Sequence, residues 1–337
     1  MTISPLRITI LHDSVPEHLN QSRGLADMIA SQHQADIQEC AAEIQWPASR
    51  TLLRQLCQSH LPLAYGAVLK AYELEYTPTH TDLVISFGAE IAPLNVALTK
   101  QLHCRNILIG SLCGINPRHT TAHLSLKGGS HRNAIATVIA PTTISPERCN
   151  HEGNHLKQRL GNGRYWSCFI GGEGSGYRYC ENDWRQLANG LNHLAEQHGI
   201  QWLLITSPRT GATAEDFLLK HLDVVHVART CFYSLTGEED ITPILGCSER
   251  TFCTTDSLTM LSKVISSGRP AVGLQPKRLI PSARHLNAIN TFCDEKYLQL
   301  VNIAELEEWQ PTLDCQGLDY ASYRNRIIEP LQQWASF

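Results

Sequence analysis

The sequence predicts an α/β protein with two domains, each built on a parallel sheet. Short buried-strand patterns alternate with amphipathic helical patterns along both halves of the chain. The length of 337 residues is also more than a single hydrophobic core usually supports. Between residues 142 and 163 the apolar pattern lapses into a polar stretch, which we interpret as a linker. We therefore expect an N-terminal domain at residues 1–145 and a C-terminal domain at residues 160–337.

The strands of this prediction are short apolar runs that end in polar or glycine-containing loops. In the first half they fall at residues 7–13, 35–44, 82–87, 106–110 and 134–140. In the second half they fall at residues 165–170, 201–206, 224–227, 251–255 and 271–274. A last amphipathic helix at residues 320–334 is expected to cross back to the first domain.

Composition excludes several classes of protein. The formal net charge is −4 and no basic face is concentrated enough for a dedicated nucleic-acid binder, so no nucleic acid is expected as a partner. No apolar run approaches the roughly 18 residues of a membrane span. The first residues run straight into a strand pattern without the charged and apolar segments of a signal peptide, which predicts a cytoplasmic protein.

The twelve cysteines are scattered and none forms a Cys-x-x-Cys pair, the spacing typical of a structural zinc site. Reduced thiols and no metal are therefore expected. The alternative metal site would combine Cys113 with His119, His123 and His131, whereas loop histidines are more often simply solvated.

The most informative stretch is residues 251–270, TFCTTDSLTMLSKVISSGRP. A buried strand is expected to end at Thr255 and Asp256, and Ser257 is expected to cap a helix at residues 258–267. A strand that ends in hydroxyls at a helix N-terminus suits an anion, because free N–H groups and the helix dipole point to the same place. An ordinary capped helix is the simpler alternative.

Two further loops follow predicted strands of the same half. The first is glycine-rich and can expose backbone N–H groups to an anion, although it matches neither a P-loop nor the dinucleotide-binding pattern. The second carries an arginine that can bind a phosphate through two hydrogen bonds. Because ligands of open α/β sheets bind at the carboxyl ends of strands, we expect a phosphate-bearing ligand there. The candidate residues in these loops are Gly171, Gly172, Gly174, Ser175, Ser207, Arg209 and Thr210.

Five blocks in sequence order give the chain a resemblance to the elongated-mitochondria family, that is, the mitochondrial fission ELM-type proteins. They are Pro16-Glu17-His18-Leu19-Asn20-Gln21 with Gly24-Leu25-Ala26, then Asp82-Leu83-Val84-Ile85-Ser86 with Ala92-Pro93, then Ile170-Gly171-Gly172, Thr206-Ser207-x-Arg209-Thr210 and Thr255-Asp256-Ser257-x-Thr259-Met260. Bacterial members of the family are similar to GT-B glycosyltransferases.

The resemblance implies two Rossmann-like domains facing a cleft, with a nucleotide sugar on the C-terminal domain and an acceptor on the N-terminal one. It implies a metal-independent glycosyltransferase that needs no cofactor besides its nucleotide-diphosphate donor. The acceptor is unidentified, with a lipid-linked or cell-envelope glycan among the candidates. The residues expected to bind the donor diphosphate are Ser207, Arg209, Thr255, Asp256, Ser257 and Thr259. Fixed donors there would stabilise the charge of a departing diphosphate.

Three residues at strand ends of the first half are candidates for the general base. His18 follows the first strand and could take a proton from an acceptor hydroxyl near neutral pH. Asp13 and Glu90 are the rival candidates for the same role. All three could equally be ordinary polar loop residues.

Two departures from the family pattern leave other functions open. Lys263 stands where related sequences usually carry Glu, and a charged lysine cannot accept hydrogen bonds from a ribose. Glu17 replaces a loop glycine. The alternatives are a nucleotide-sugar epimerase or hydrolase of the same fold, and a non-catalytic, membrane-associated scaffold.

Peripheral contact with the inner face of a membrane is suggested by apolar residues that lie close together in the first half. A core-facing or interdomain helix explains them as well as contact with a bilayer does, and we favour the core. These residues are Leu52, Leu53, Leu56, Leu61, Leu63, Val68 and Leu69.

Overall fold

The computed structural model describes residues 4–45, 49–126, 128–311 and 315–335. Contacts between residues divide the chain into two units. One unit consists of Met1–Thr143 with Ala321–Phe337, and the other of Ile144–Tyr320. Each unit has its own sheet and its own hydrophobic core.

The first unit is built on a seven-stranded sheet of order β3-β2-β1-β4-β5-β6-β7. All neighbouring strands are parallel except β2 and β3. A 3-10 turn at Pro117–His119 precedes β6. The elements are β1 Leu6–His12, α1 Pro16–Ala30, β2 Ala35–Ile44, α2 Arg50–Cys57, α3 Pro62–Leu69, β3 Tyr72–Leu74, β4 Leu83–Phe87, α4 Ala92–Leu102, β5 Arg105–Ile109, β6 Ala122–Ser125 and β7 Ala134–Ala136.

The second unit is built on a six-stranded parallel sheet of order β11-β10-β8-β12-β13-β15, with a separate antiparallel pair of β14 and β9. Its elements are α5 Pro146–Leu160, β8 Tyr165–Ile170, β9 Tyr177–Arg178, α6 Glu181–His198, β10 Gln201–Thr206, α7 Ala212–His221, β11 Val227–Cys231, α8 Tyr233–Thr236, α9 Thr242–Cys247, β12 Arg250–Thr254, α10 Leu258–Ser266, β13 Ala271–Gln275, β14 Arg278–Leu279, α11 Ala283–Asp294 and β15 Leu298–Asn302.

The last helix, α12 Tyr320–Ala335, packs on the first unit. The hydroxyl of Tyr323 donates to the carbonyl of Ile139 at 3.2 Å, and Gln332 bonds to His33. Ile327 and Leu331 on the same helix are fully buried. The terminal helix therefore returns to the first unit after the second unit is complete.

Local sequence explains where these elements begin and how deeply they are buried. Proline occupies the first turn of α1, α3, α4, α5 and α9, where its missing N–H costs nothing. All six residues of β8 are buried, as expected for a strand covered by helices on both faces. The core behind this strand is aromatic, because Trp166 lies 5.9 Å from Trp202 and 5.8 Å from Phe252 between ring centroids.

The linker predicted between residues 142 and 163 is wrong, because most of it forms α5. Ser145 caps this helix by accepting a hydrogen bond from the N–H of Arg148 at 3.2 Å. Only Cys149, Gly153 and Leu156 of this helix are buried, and most of its other residues are polar. The sequence therefore lacks the broad apolar face that would have predicted a helix here.

The strand predicted at residues 224–227 is also misplaced. Val224–His226 forms a 3-10 turn, in which the Asp223 side chain accepts from the N–H of Val225 at 3.1 Å. The strand begins only at Val227, where the chain starts to pair with β10. Capping by Asp223 therefore keeps the valines out of the sheet.

The apolar residues of α2 and α3 divide between the core and the surface. Leu53 and Val68 are buried, whereas Leu61 and Leu63 are 67% and 90% exposed. A core-facing role therefore explains only part of this group, and contact with a membrane stays a prediction. No helix among the described residues is long and apolar enough to span a bilayer.

The contact between α5 and α9 predicts a strong effect of one methyl group. A Cβ on Gly153 would lie 2.2 Å from the carbonyl carbon of Gly246 and 2.6 Å from the N of Cys247, both backbone atoms. We expect Gly153→Ala to lower the free energy of unfolding by about 2–3 kcal/mol, because backbone in a packed helix pair cannot move aside. Chemical denaturation monitored by circular dichroism would measure it.

Gly66→Ala is the matched control, since Gly66 is also helical and has nothing within 4 Å of its Cβ position. There the gain in helix propensity should leave the protein as stable or up to about 1 kcal/mol more stable. Equal effects of the two substitutions would contradict the close packing of α5 on α9.

Candidate functional site

The three loops singled out in the second half of the sequence follow neighbouring strands. β10, β8 and β12 lie side by side, so Ser207, Gly171 and Thr255 start their loops at the same edge of the sheet. The strand order changes direction between β8 and β12. In open α/β sheets the crevice at such a switch point is where ligands bind.

A fully buried carboxylate, that of Asp256, joins these loops. It accepts hydrogen bonds from the N–H of Gly172 at 3.3 Å and from the hydroxyl of Tyr179 at 3.2 Å. Arg209 forms an ion pair with it at 2.7 Å while 39% of the arginine side chain remains exposed. A buried charge is stable only when it is paired in this way. The Asp256 carboxylate is therefore bonded to the protein and is not available to a ligand.

The close approach of the loops explains the two glycines after β8. A Cβ on Gly171 would lie 2.3 Å from the Asp256 carboxylate, and one on Gly172 would lie 1.9 Å from the carbonyl oxygen of Arg209. Their amides are also used, since the N–H of Gly171 donates to the Thr254 hydroxyl at 2.7 Å. The expected role of these N–H groups as anion donors therefore does not fit the structure, which uses them for packing.

Two predicted hydroxyl ligands are likewise turned into the protein. The Thr210 hydroxyl shares its one proton between the carbonyls of Ile170 and Gly171, which lie 2.7 and 2.8 Å away, and it accepts from the N–H of Ser207 at 3.0 Å. Thr255 donates to the carbonyl of Leu274 at 3.3 Å and is fully buried. A hydroxyl has one proton, so neither is available to a diphosphate.

The groups that remain available gather around the start of α10. Ser257 caps the helix as predicted, with its oxygen 3.4 Å from the N of Met260, and its own proton is not used by that bond. The N–H groups of Leu258 and Thr259 have no hydrogen-bond partner among the described residues. Such N–H groups and the helix dipole favour an anion.

Arg209 adds a positive charge to this edge of the sheet. Its terminal nitrogen Nη1 lies 3.0 Å from the position of a Cβ on Gly174, so the guanidinium runs beside the glycine-rich loop. Ser175 is exposed in the same loop, with a φ of 52°, and Ser207 is half-buried at the end of β10. Ser175, Ser207, Arg209, Ser257 and Thr259 stay predicted diphosphate ligands.

In the first unit, the structure joins two residues that the sequence presents as rivals. His18 Nδ1 lies 2.8 Å from one carboxylate oxygen of Asp13 and 3.0 Å from the other. The ring packs on Phe87 with centroids 4.4 Å apart. β1 and β4, which precede Asp13 and Gly88, are neighbours at the point where this sheet reverses its strand order. The pair therefore occupies the switch point of its own sheet.

The third candidate base, Glu90, is engaged elsewhere. Its carboxylate forms an ion pair with Arg50 at 2.7 Å, and its backbone carbonyl accepts from the hydroxyl of Tyr72 at 2.6 Å. No contact with His18 or Asp13 is found among the described residues. A role for Glu90 as the general base stays a prediction that the structure does not favour.

Several polar residues at the second unit's strand edge lie outside the predicted set of site residues. Glu215 on α7 is buried and accepts from the hydroxyls of Thr206 and Ser234. His285 donates to the carbonyl of Thr255 at 2.7 Å, and burial raises the pKa of Tyr179 well above its usual value. Glu215 and His285 lie on amphipathic helices, where they look like surface residues until the tertiary packing is known.

The alternative metal site is not assembled in this structure. His123 and His131 lie in contact, with ring centroids 5.2 Å apart. No group of three or more potential ligands is brought together in the part of the chain that the structure describes.

Comparison with solved structures defines the class of the fold. The chain is similar to the UDP-GlcNAc 2-epimerase from Methanocaldococcus jannaschii, with a TM-score of 0.54 and 11% identity over 97% of this chain and 100% of that one. It is similar to the Neisseria meningitidis UDP-GlcNAc 2-epimerase bound to UDP-GlcNAc, with a TM-score of 0.50 and 11% identity over 97% and 100%. The E. coli ADP-heptose LPS heptosyltransferase II has a TM-score of 0.46 and 13% sequence identity, over 98% of this chain and 99% of that one. The chain is an α/β protein of the GT-B-like fold, as the sequence predicts.

The family follows from a match over most of the chain. The model of the family described as mitochondrial fission ELM1 matches residues 16–316. The chain belongs to this family, which confirms the resemblance found in its motifs. A search of curated proteins found no match.

The ion pair beneath the strand edge gives a prediction about stability. We expect Asp256→Asn to lower the free energy of unfolding by about 2 kcal/mol, because it removes the buried partner of Arg209 and places amide donors opposite the N–H of Gly172. The exposure of Arg209 limits the loss, since solvent compensates part of its charge. Urea denaturation of the whole chain would measure the change.

Glu181→Gln is the control for the loss of a carboxylate charge. Glu181 pairs with Arg185 one helical turn away on α6, and its side chain is 70% exposed. This substitution should change the stability by no more than about 0.5 kcal/mol. A similar loss in both variants would mean that Asp256 has no special structural role.

Proposed function

We propose that this protein is a glycosyltransferase that moves a sugar from a nucleotide-diphosphate donor to an acceptor hydroxyl. The observation that carries the proposal is the edge of the second unit's sheet, where Arg209 is oriented by Asp256 beside the capped N-terminus of α10. The two epimerases of similar fold are named for a nucleotide sugar, UDP-GlcNAc. A nucleotide sugar is therefore the class of ligand that best suits this edge.

The diphosphate in this proposal is held without a metal. Arg209 offers N–H groups that Asp256 does not use, and the Ser257 hydroxyl and the first N–H groups of α10 supply further donors. When the glycosidic bond to the donor breaks, negative charge develops on the departing diphosphate. Donors that are already in place stabilise that charge without reorganisation.

The acceptor is activated in this proposal by His18 of the first unit. Asp13 accepts the Nδ1 proton of the imidazole, which leaves Nε2 as the base. Nε2 takes the proton of the acceptor hydroxyl while its oxygen bonds to the anomeric carbon. The bond from that carbon to the diphosphate oxygen breaks at the same time, and the nucleoside diphosphate leaves.

An epimerase of nucleotide sugars is the second candidate function, because the solved structures with a TM-score of at least 0.50 reported above are epimerases. It would use the same diphosphate site but no separate acceptor. A non-catalytic member of the fold is the third, since Lys263 on α10 is a poor partner for ribose hydroxyls. Turnover of a labelled nucleotide sugar with and without candidate acceptors distinguishes transfer, epimerisation and inactivity.

Binding of nucleoside diphosphates tests the donor site directly. We expect UDP, ADP, GDP or dTDP to raise the melting temperature in the presence of EDTA. When the ligand is at 100 times its dissociation constant, the free energy of unfolding should rise by about 2.7 kcal/mol. Ser257→Asp should abolish the shift, because it places a carboxylate where the diphosphate binds.

Ser145→Asp is the control for this substitution. Ser145 caps α5 in the same way that Ser257 caps α10, and Asp is an equally good cap. This variant should keep the ligand-induced shift of the wild type. If no nucleoside diphosphate stabilises the protein, or if the two variants behave alike, the donor site is not where we place it.

The general base predicts a selective loss of turnover. His18→Ala should lower kcat by about 10²–10⁴-fold with little change in nucleoside-diphosphate binding, because the base acts only on the acceptor. Asp13→Asn should lower kcat by about 10²-fold through loss of the oriented tautomer. Steady-state kinetics with the identified acceptor would measure both.

Glu90→Gln provides the comparison within the same set of candidates. Its carboxylate is paired with Arg50, so kcat should stay within about threefold of the wild type. Loss of turnover in this variant together with normal turnover in His18→Ala would assign the base to Glu90 instead.

A further inference from the structure

The first unit contains a cavity of about 700 Å³. None of the proposed catalytic residues lines this cavity. Its walls include Thr121, directly before β6, and Asn133, directly before β7. These positions lie at the amino ends of parallel strands, whereas His18 follows the carboxyl end of β1. The volume falls within the roughly 300–1,000 Å³ of small-molecule sites.

Two arginines give the cavity a positive charge. Arg118 and Arg132 line it, are exposed, and have no carboxylate partner among the described residues. Nε of Arg118 donates to Nε2 of His119 at 3.2 Å, which fixes the guanidinium and leaves its terminal N–H groups unused. Burial, followed by the nearby charges of Lys100 and Arg118, lowers the pKa of His119 to about 4, so this ring is a neutral acceptor at pH 7.

A chain of hydrogen bonds orients His131, which also lines the cavity. The amide nitrogen of Asn133 faces the carbonyls of Pro117 and Thr120 at 3.0 and 2.7 Å, so its oxygen must face Nδ1 of His131, 2.7 Å away. An amide oxygen only accepts. Nδ1 of His131 therefore carries a proton.

The other nitrogen of His131 faces a second histidine. His123 is buried, burial lowers its pKa, and its Nε2 donates to the carbonyl of Gly110 at 2.7 Å. Its Nδ1 lies 3.2 Å from Nε2 of His131. Both ring nitrogens of His131 therefore face protein atoms, which fixes the ring at the wall of the cavity.

The remaining feature of the cavity is an indole side chain. Trp334 near the end of α12 lines it and is half-buried. No aspartate or glutamate is found among the described lining residues. The cavity therefore combines two cationic arginines with one indole ring, a histidine, and amide and hydroxyl groups.

We propose that this cavity is a second ligand site, and that it binds a small organic anion whose phosphate or carboxylate group contacts Arg118 and Arg132 while its planar ring stacks on Trp334. Arginine pairs with both kinds of oxyanion through two parallel hydrogen bonds. Such an anion compensates the charge of two arginines that have no carboxylate partner among the described residues. The site is separate from the diphosphate site of the second unit.

Phenyl phosphate and benzoate are suitable probes, because they carry the two oxyanions on the same planar ring. We expect isothermal titration calorimetry of the full chain to show saturable binding of at least one of them, which also identifies the preferred oxyanion. Arg118→Gln and Arg132→Gln should each weaken it about tenfold or more, because each removes a charge-assisted pair. Trp334→Ala should weaken the probes while leaving any affinity for inorganic phosphate unchanged.

Two controls separate this site from the rest of the surface. Arg23→Gln changes another exposed arginine of the first unit, which is paired with Glu39, and should leave probe binding unchanged. Ser257→Asp should also leave it unchanged, whether or not nucleoside diphosphates bind to the second unit. The proposal is overturned if neither probe binds at millimolar concentration, if the two cavity arginines can be replaced without effect, or if Ser257→Asp abolishes binding.

Discussion

The buried charge of Asp256 is the constraint on which the strand edge of the second unit depends. A carboxylate without solvent has to be paired, and its partners Gly172, Tyr179 and Arg209 come from three separate chain segments. One charge therefore fixes the positions of three loops. The pair also determines which side chain is accessible to a ligand. The Asp256 carboxylate is fully buried and bonded to the protein, whereas Arg209 is partly exposed and is held in one orientation. In the proposed site, Asp256 therefore affects the ligand only by orienting Arg209.

The two units place their functional residues at equivalent points of their sheets. In the first unit β1 lies beside β4, and in the second β8 lies beside β12, so each strand order reverses there. In open α/β sheets a crevice at the carboxyl ends of the strands forms where the strand order reverses. The pair of His18 and Asp13 follows β1, and Asp256 follows β12. The same topological rule therefore accounts for the positions of the proposed base in one unit and of the proposed anion-binding edge in the other.

Membership in the mitochondrial fission ELM1 family and the GT-B-like fold are compatible with enzymes and with proteins that only bind. The proposal that the protein is an enzyme rests on the arrangement of side chains, because an imidazole oriented by a carboxylate and an arginine oriented by another carboxylate are both preorganised. The cavity of the first unit differs in kind, since side-chain cations rather than a helix terminus supply its positive charge.

The sequence by itself determined the class of fold, most strands, the Ser257 cap and the three loops that meet at one sheet edge. These depend on local periodicity and on the rule that parallel strands share their carboxyl ends. It did not determine α5, a polar helix with only three buried residues. It also did not determine that the hydroxyls of Thr210 and Thr255 bond to the protein itself. It presented His18 and Asp13 as rivals, whereas the tertiary structure makes them partners. Only the tertiary structure decides which hydrogen-bond donors bond to carbonyls of the protein and which charged side chains form ion pairs, because those bonds join residues that are distant in sequence.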